Sequence, residues 1–167
     1  GATGAPLKTL GLVQLPPMKY LTLARGRLVG AVGSTLVYSN ALRYNLYDPA
    51  YNTIDFPAVI TAVGVVDDGV YVGTAGGLWF LSGEEIENAQ MALVDGAPVY
   101  ADSQCYVDAL SLPADALGVP AGVLRGRLFA WVNPGGIGFG FAGGVTRTPT
   151  SPYLSIPPTV QPCATVV

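Results

Sequence analysis

The chain has 167 residues, of which half are hydrophobic and only 11% charged, with 8 Lys and Arg, 11 Asp and Glu, no His and a net charge of −3. That length fits one domain of ordinary size. The lack of His excludes Ser-His-Asp and Cys-His catalysis and, with only Cys105 and Cys163 present, a Cys/His zinc site.

Charged residues supply about 25% of an ordinary soluble domain. A chain this poor in charge places apolar or Gly/Ser/Thr-like surface outside, as expected of a protein embedded in an assembly. The eight cations are scattered, whereas a groove that tracks phosphates needs several on one face; direct nucleic-acid readout is not expected. No apolar run reaches the roughly 18 residues of a membrane span. The opening Gly1-Ala-Thr-Gly-Ala-Pro has no basic or hydrophobic stretch of a signal peptide and no initiator Met. This suits either a processed chain or one segment of a longer product.

Residues 1–17 are Gly/Pro/Leu-rich and end in Pro16-Pro17, which bar helix and central strand; an extended N-terminal arm is expected. Residues 18–40 read as three short strands with turns at Arg25-Gly26 and Gly33-Ser34, two-residue connections that give tight antiparallel hairpins. Residues 41–59 form a long loop in which Tyr44, Tyr47 and Tyr51 stand three and four apart. Asp48-Pro49 turns this loop, so one short helical turn and a strand over Thr53–Phe56 are expected.

The three-strand set then recurs. Ile60–Val66 is a strand, Asp67-Asp68-Gly69 a hairpin turn with Gly supplying positive φ, and Val70–Thr74 and Leu78–Leu81 the next two strands around Ala75-Gly76-Gly77. The acidic 84–89 stretch reads as a solvated helical turn. Met91–Tyr100 and Cys105–Leu112 read as an outer strand of this unit and the inner strand of the next, followed by an irregular insertion. Leu124–Ala142 is a third hairpin with Asn133-Pro134-Gly135-Gly136 at its tip. The Thr/Pro/Ser-rich 146–167 stretch cannot build a core and is expected as an extended arm.

The strand starts Leu28 and Val70 stand 42 positions apart, within the roughly 40–50-residue period of four-stranded propeller blades. The expected fold is therefore all-β: antiparallel meander blades over residues 18–145, a partial propeller of about three blades, between arms at 1–17 and 146–167. Three blades do not close a ring, which typically takes about four to eight, so completion by further blades is expected.

Little in the chain carries chemistry. Asp48, Asp55, Asp67, Asp68, Asp102, Asp108 and Asp115 are the carboxylates a glycosidase would draw on, but none pairs convincingly with another. Asp67-Asp68-Gly69 lacks the alternating acids of a calcium loop. Gly135–Gly144 is Gly-rich without the Lys-Ser/Thr of a phosphate cradle; its Gly/Phe alternation reads instead as a strand with one face stripped of side chains, open to close approach. Cys105 and Cys163 are either separate thiols or one pair. No catalytic, metal or cofactor-binding residue is expected. Tyr44, Tyr47 and Tyr51, with Asn45 and Asn52, are the candidate platform, for a protein interface or for sugar stacking.

The run Val37-Tyr-Ser-Asn, Leu46-Tyr-Asp-Pro, Phe56-Pro-Ala-Val-Ile-Thr, Gly69-Val-Tyr-Val-Gly-Thr and Phe80-Leu-Ser-Gly resembles a pattern in tailed-bacteriophage virion proteins over roughly residues 25–100. The resemblance implies a propeller-like structural protein of the tail, neck or nozzle, located in the virion. It implies partnership with other virion subunits, as a homo-oligomer or ring and in hetero-assembly, and brings no catalytic residues. The alternatives are a receptor- or glycan-binding propeller module and a carboxylate glycosidase fragment.

Overall fold

The computed structural model describes residues 11–112, 117–120, 124, 126–151 and 153–157. Short apolar segments and two-residue turns set the architecture, which among the described residues is fourteen strands in four antiparallel sheets. Three sheets are four-stranded and each takes its strands in chain order. Sheet 1 is β2 (Lys19–Ala24), β3 (Arg27–Val32), β4 (Thr35–Tyr38) and β6 (Thr53–Asp55). Sheet 2 is β7 (Ile60–Val66), β8 (Gly69–Thr74), β9 (Gly77–Ser82) and β10 (Gln90–Asp95), and sheet 3 is β11 (Cys105–Asp108), β12 (Arg127–Asn133), β13 (Gly136–Gly140) and β14 (Thr146–Arg147). A two-stranded sheet joins β1 (Val13–Gln14) to β5 (Leu46–Tyr47).

The hairpin turns follow the residues closely. Arg25 and Gly26 both have positive φ, as a type I′ turn requires. Gly33 alone carries positive φ in the next turn, the type II′ pattern. At Asp67-Asp68-Gly69 the expectation fails in its reason: Gly69 is not among the positive-φ glycines. Glycine stands there because a Cβ would overlap the Phe80 ring. The expected strands over Met91–Tyr100 and Cys105–Leu112 are shorter, ending at Asp95 and Asp108. Asp108 ends the second one by accepting a hydrogen bond from Leu110 N, which caps a 3-10 turn at Ala109–Ser111.

The first and last described segments both pack on the sheets. In the expected N-terminal arm Val13 and Gln14 pair with Tyr47 and Leu46. In the expected C-terminal arm Thr146-Arg147 is the fourth strand of sheet 3. Beyond it, Ile156 N donates to Pro134 O and Tyr100 donates to Ile156 O at 2.7 Å.

Sheet 2 lies between the other two. On one face Val63, Val70, Val72 and Leu81 pack against Val29, Ala31, Leu36 and Tyr38 of sheet 1. On the other, Ala62, Val66, Tyr71 and Phe80 pack against Phe129 and Trp131 of sheet 3. Two covered faces explain why β7 and β8 read as unbroken apolar runs and not as alternating ones. Part of the far face of sheet 3 is covered by its own chain, where Ala109, Leu117 and Val119 pack on Leu128 and Phe141.

Sheets 2 and 3 interlock by exchanging volume. The Phe129 ring occupies the space over Gly64, and a Cβ at Gly140 would come 2.7 Å from the Tyr71 ring. Gly138 lies under the Trp131 ring of its own sheet. Tyr71, Phe129 and Trp131 then stack in series, with centroids 5.8 and 5.5 Å apart, spacings at which aromatic pairs attract beyond simple burial. Tyr71 donates its hydroxyl proton to Phe141 O at 2.6 Å, with Val145 O at 3.0 Å. The stripped face anticipated for β13 is therefore filled by rings.

Interlock makes a quantitative demand. Gly64→Ala forces the Phe129 ring to move within a close-packed core and should cost about 1–3 kcal/mol or more in equilibrium unfolding. Gly76→Ala should change stability by less than about 1 kcal/mol, because its Cβ would meet only Ala58 at 3.6 Å and Thr74 Oγ1 at 3.9 Å.

Candidate functional site

The tyrosine platform is divided by the structure. Asp48 O accepts from Tyr51 N at 3.1 Å and Asn52 N at 2.8 Å, which makes the single helical turn expected in this loop. Asn52 Oδ1 accepts from Asp48 N, and Asp48 Oδ1 from Ala50 N. Asn52 is buried in these contacts and is not offered to a ligand. Tyr44 and Tyr51 are 44% and 76% exposed, whereas Tyr47 is half-buried in β5 against Val13. No ring pair among the described residues joins any two of the three.

The carboxylates have structural partners. Asp55 accepts from Thr35 Oγ1, Asp68 from Gly143 N, Asp95 from Ala97 N and Asp108 from Leu110 N. Asp67 packs against Gly126, and Asp102 stands beside the Tyr20 hydroxyl. Asp115 and Cys163 lie outside the described residues. No group of three or more metal-ligating side chains occurs among the described residues, and none of their helices is long and apolar enough to cross a membrane. Burial pushes the half-buried Cys105 thiol up in pKa, away from the reactive thiolate.

A more organised constellation lies where the first strands of the three sheets meet. Strands β2, β7 and β11 are edge strands of their sheets, and side chains from sheet 3 bridge them. Gln104 Oε1 accepts from Val63 N at 2.7 Å, and the Tyr106 hydroxyl oxygen accepts from Val65 N at 3.0 Å. The same hydroxyl lies 3.2 Å from Thr22 Oγ1 of β2. Thr61 donates to Val99 O at 2.7 Å. Positions 104 and 106 therefore sit beside 63 and 65 of β7, while 102 and 106 sit beside 20 and 22 of β2. Backbone N–H groups of β7 that a sheet edge would leave unpaired are satisfied by side chains, which blunts that edge. Arg127 stacks on the Tyr106 ring at 4.9 Å and holds it in place.

A cleft of about 400 Å³ opens at the start of this ladder, lined by Lys19, Tyr20, Val32, Val59 and Thr61 among others. A larger hollow of about 750 Å³ lies near Asp108, Leu110, Leu124 and Arg127; its charged groups are already engaged, Asp108 in its cap and Arg127 on Tyr106. Sequence reading passed over Lys19, Tyr20, Gln104 and Tyr106. Only their positions at the starts of successive inner strands could have signalled them.

No protein-family model and no curated protein matches the chain.

The ladder can be tested at Tyr106. Tyr106→Phe keeps the ring and removes the oxygen that accepts from Val65 N, leaving that N–H without its partner. The expected cost is about 1–3 kcal/mol in denaturant unfolding, accompanied by faster amide exchange at Val65. Unchanged exchange at Val65 would contradict the bridging role.

Proposed function

We propose that the chain is a non-enzymatic structural component of a bacteriophage virion, of tail, neck or nozzle type, acting through subunit assembly. In this reading its three meander sheets are successive blades of a propeller-like body completed by neighbouring sheets. The sequence resemblance motivates the virion setting. The structural observation behind the assembly mechanism is an asymmetry between the two outer faces.

The outer face of sheet 3 is covered around Leu128 and Phe141 by the chain's own residues, and Ile137 is the large apolar side chain of β13 left exposed, at 39%. Sheet 1 is different. Its inward face carries Val29, Ala31, Leu36 and Tyr38, but its outward face presents Leu21 and Leu23 at 56% and 58% exposure. Val32 adds to the exposed apolar surface. Met18 covers the spot over Gly30, and Val37 beside it is buried. An adjoining sheet would bury these side chains as sheet 2 buries those of the inner face. The outer edge of sheet 2 also suits assembly: Gln90, Met91, Ala92 and Leu93 of β10 are exposed and uncharged, without the charges that normally guard an edge. The other outer strands, β6 and β14, have three and two residues and offer little to pair with.

A second reading, a receptor- or glycan-binding module, is favoured by the exposure of Tyr44 and Tyr51 on a loop held by Asp48 and Asn52. It requires Tyr47 least, because that ring is half-buried.

Sedimentation of the purified chain tests the assembly reading. The wild-type chain should self-associate. Leu21→Ser/Leu23→Ser removes about 2 kcal/mol of apolar burial at the contact and should weaken association roughly tenfold to thirtyfold, with little change in unfolding midpoint. A wild-type chain that stays monomeric, or a variant that associates equally well, would count against it. Many copies of the chain in purified particles would be the corresponding finding for the virion setting, and its absence from them the opposing one.

A further inference from the structure

We propose that the cleft at the start of β2, β7 and β11 is a binding site for a small organic anion with an apolar body, its anionic group held by Lys19. The inference rests on the cleft and not on the assembly reading, although Val32 lines the cleft and also borders the exposed face of sheet 1.

The cleft's volume of about 400 Å³ lies within the range of small-molecule sites, about 300–1,000 Å³. Its lining is largely apolar, with Val32 and Val59 exposed and Ile60 buried beneath. Val59 is 58% exposed, so this apolar surface is accessible to an entering molecule. Polar side chains in the lining are few, those of Lys19, Tyr20 and Thr61, as a site that orients its ligand needs. Lys19 is the cation of the lining, and among the described residues it has no hydrogen-bond or ion-pair partner.

The backbone is strained at this place. Four non-glycine residues among those described have left-handed φ, and two of them, Tyr20 at 55° and Asp102 at 59°, face each other here. Such conformations cost about 1–3 kcal/mol each and cluster at functional sites. The pairing register of β2 with β3 shifts between Lys19 and Thr22, a bulge of the kind that re-aims side chains. The Tyr20 hydroxyl is held near the Asp102 carboxylate, and burial together with that negative charge raises its pKa, so it stays protonated at neutral pH.

These groups define the ligand's polarity. Lys19 attracts one negative charge. Asp102, on the other side of Tyr20, disfavours a second, so a mono-anion fits better than a dianion. The Thr61 hydroxyl gives its proton to Val99 O and can accept a hydrogen bond from the ligand's far end. A monocarboxylate with a short aliphatic or aromatic body has this pattern. The carboxylate at a chain terminus shares the chemistry, and the test separates the two sources.

Ligand-observed fluorine NMR on the full chain works at any assembly state. Para-fluorobenzoate should broaden on addition of the protein, and para-fluorobenzyl alcohol and para-fluorobenzylamine should broaden at least about fivefold less. Lys19→Gln, and Val59→Asp at the exposed rim, should each weaken para-fluorobenzoate binding about tenfold, which corresponds to the loss of one partly exposed charge contact plus desolvated apolar area. Arg147→Gln, an exposed cation elsewhere, should leave it unchanged. Equal broadening by acid, alcohol and amine, or an unchanged Lys19→Gln variant, would overturn the proposal. Hexanoate should displace para-fluorobenzoate better than acetyl-Val-Phe with a free carboxylate does; the reverse order would assign the cleft to a chain end and overturn the small-molecule assignment.

Discussion

The structure depends on one packing device, the seating of aromatic rings over glycines where sheets 2 and 3 meet. Side chains on both facing surfaces would keep two sheets about 10 Å apart. Here Gly64 admits the Phe129 ring and Gly140 the Tyr71 ring, so bulk on one sheet enters a gap on the other. Fully burying an aromatic side chain contributes roughly 1.5–3 kcal/mol, and the stacked Tyr71, Phe129 and Trp131 add ring–ring attraction. The Tyr71 hydroxyl would be costly inside this cluster, yet it reaches the Phe141 and Val145 carbonyls, which ties the end of β13 and the approach to β14 to the same core.

That interlock determines what happens at the edges. Once sheet 3 is fixed against sheet 2, Gln104 and Tyr106 lie along the inner edge of β7 and accept its Val63 and Val65 N–H groups. Tyr106 also reaches Thr22, so sheet 3 touches sheet 1 past the edge of sheet 2. Arg27 of sheet 1 pairs with Glu87 in the 3-10 turn after β9, and Arg25 donates to Gly83 O. The inner edges are thus occupied by the chain itself. Among the described residues, the outer face of sheet 1, the outer edge at β10 and the cleft at the start of the ladder are left open. Assembly and ligand binding are assigned to different parts of this remainder.

Much of the fold was legible because it is local. Turn residues and short apolar runs place β3, β4, β7, β8, β9 and β12 close to where they occur, and the recurrence of the hairpin unit gives three meanders. The fourth strand of sheet 1, β6, comes from beyond a long loop, and its pairing depends on contacts that no window of sequence contains. The same is true of β14, whose composition resembles that of a linker. Gly69 shows a subtler limit: glycine in a turn suggests a backbone need, while the structure requires it for a ring three-dimensionally adjacent. The tyrosines at 44, 47 and 51 were conspicuous by spacing, yet one is half-buried and no ring contact joins them. Lys19 and Tyr20 were inconspicuous, and Asp102 stood out only as one carboxylate among several, because a bulge and two left-handed residues have no reliable signature in non-glycine sequence.

The central claim is that rings and glycines across the sheets are mutually fitted. A double-mutant cycle on Gly140 and Tyr71 measures it. Gly140→Val overfills the space beneath the ring, and Tyr71→Ala empties it. If the two positions share one volume, the double variant should be more stable than the sum of the single effects implies by about 1–3 kcal/mol in denaturant unfolding. Additive effects, within about 0.5 kcal/mol, would contradict the account.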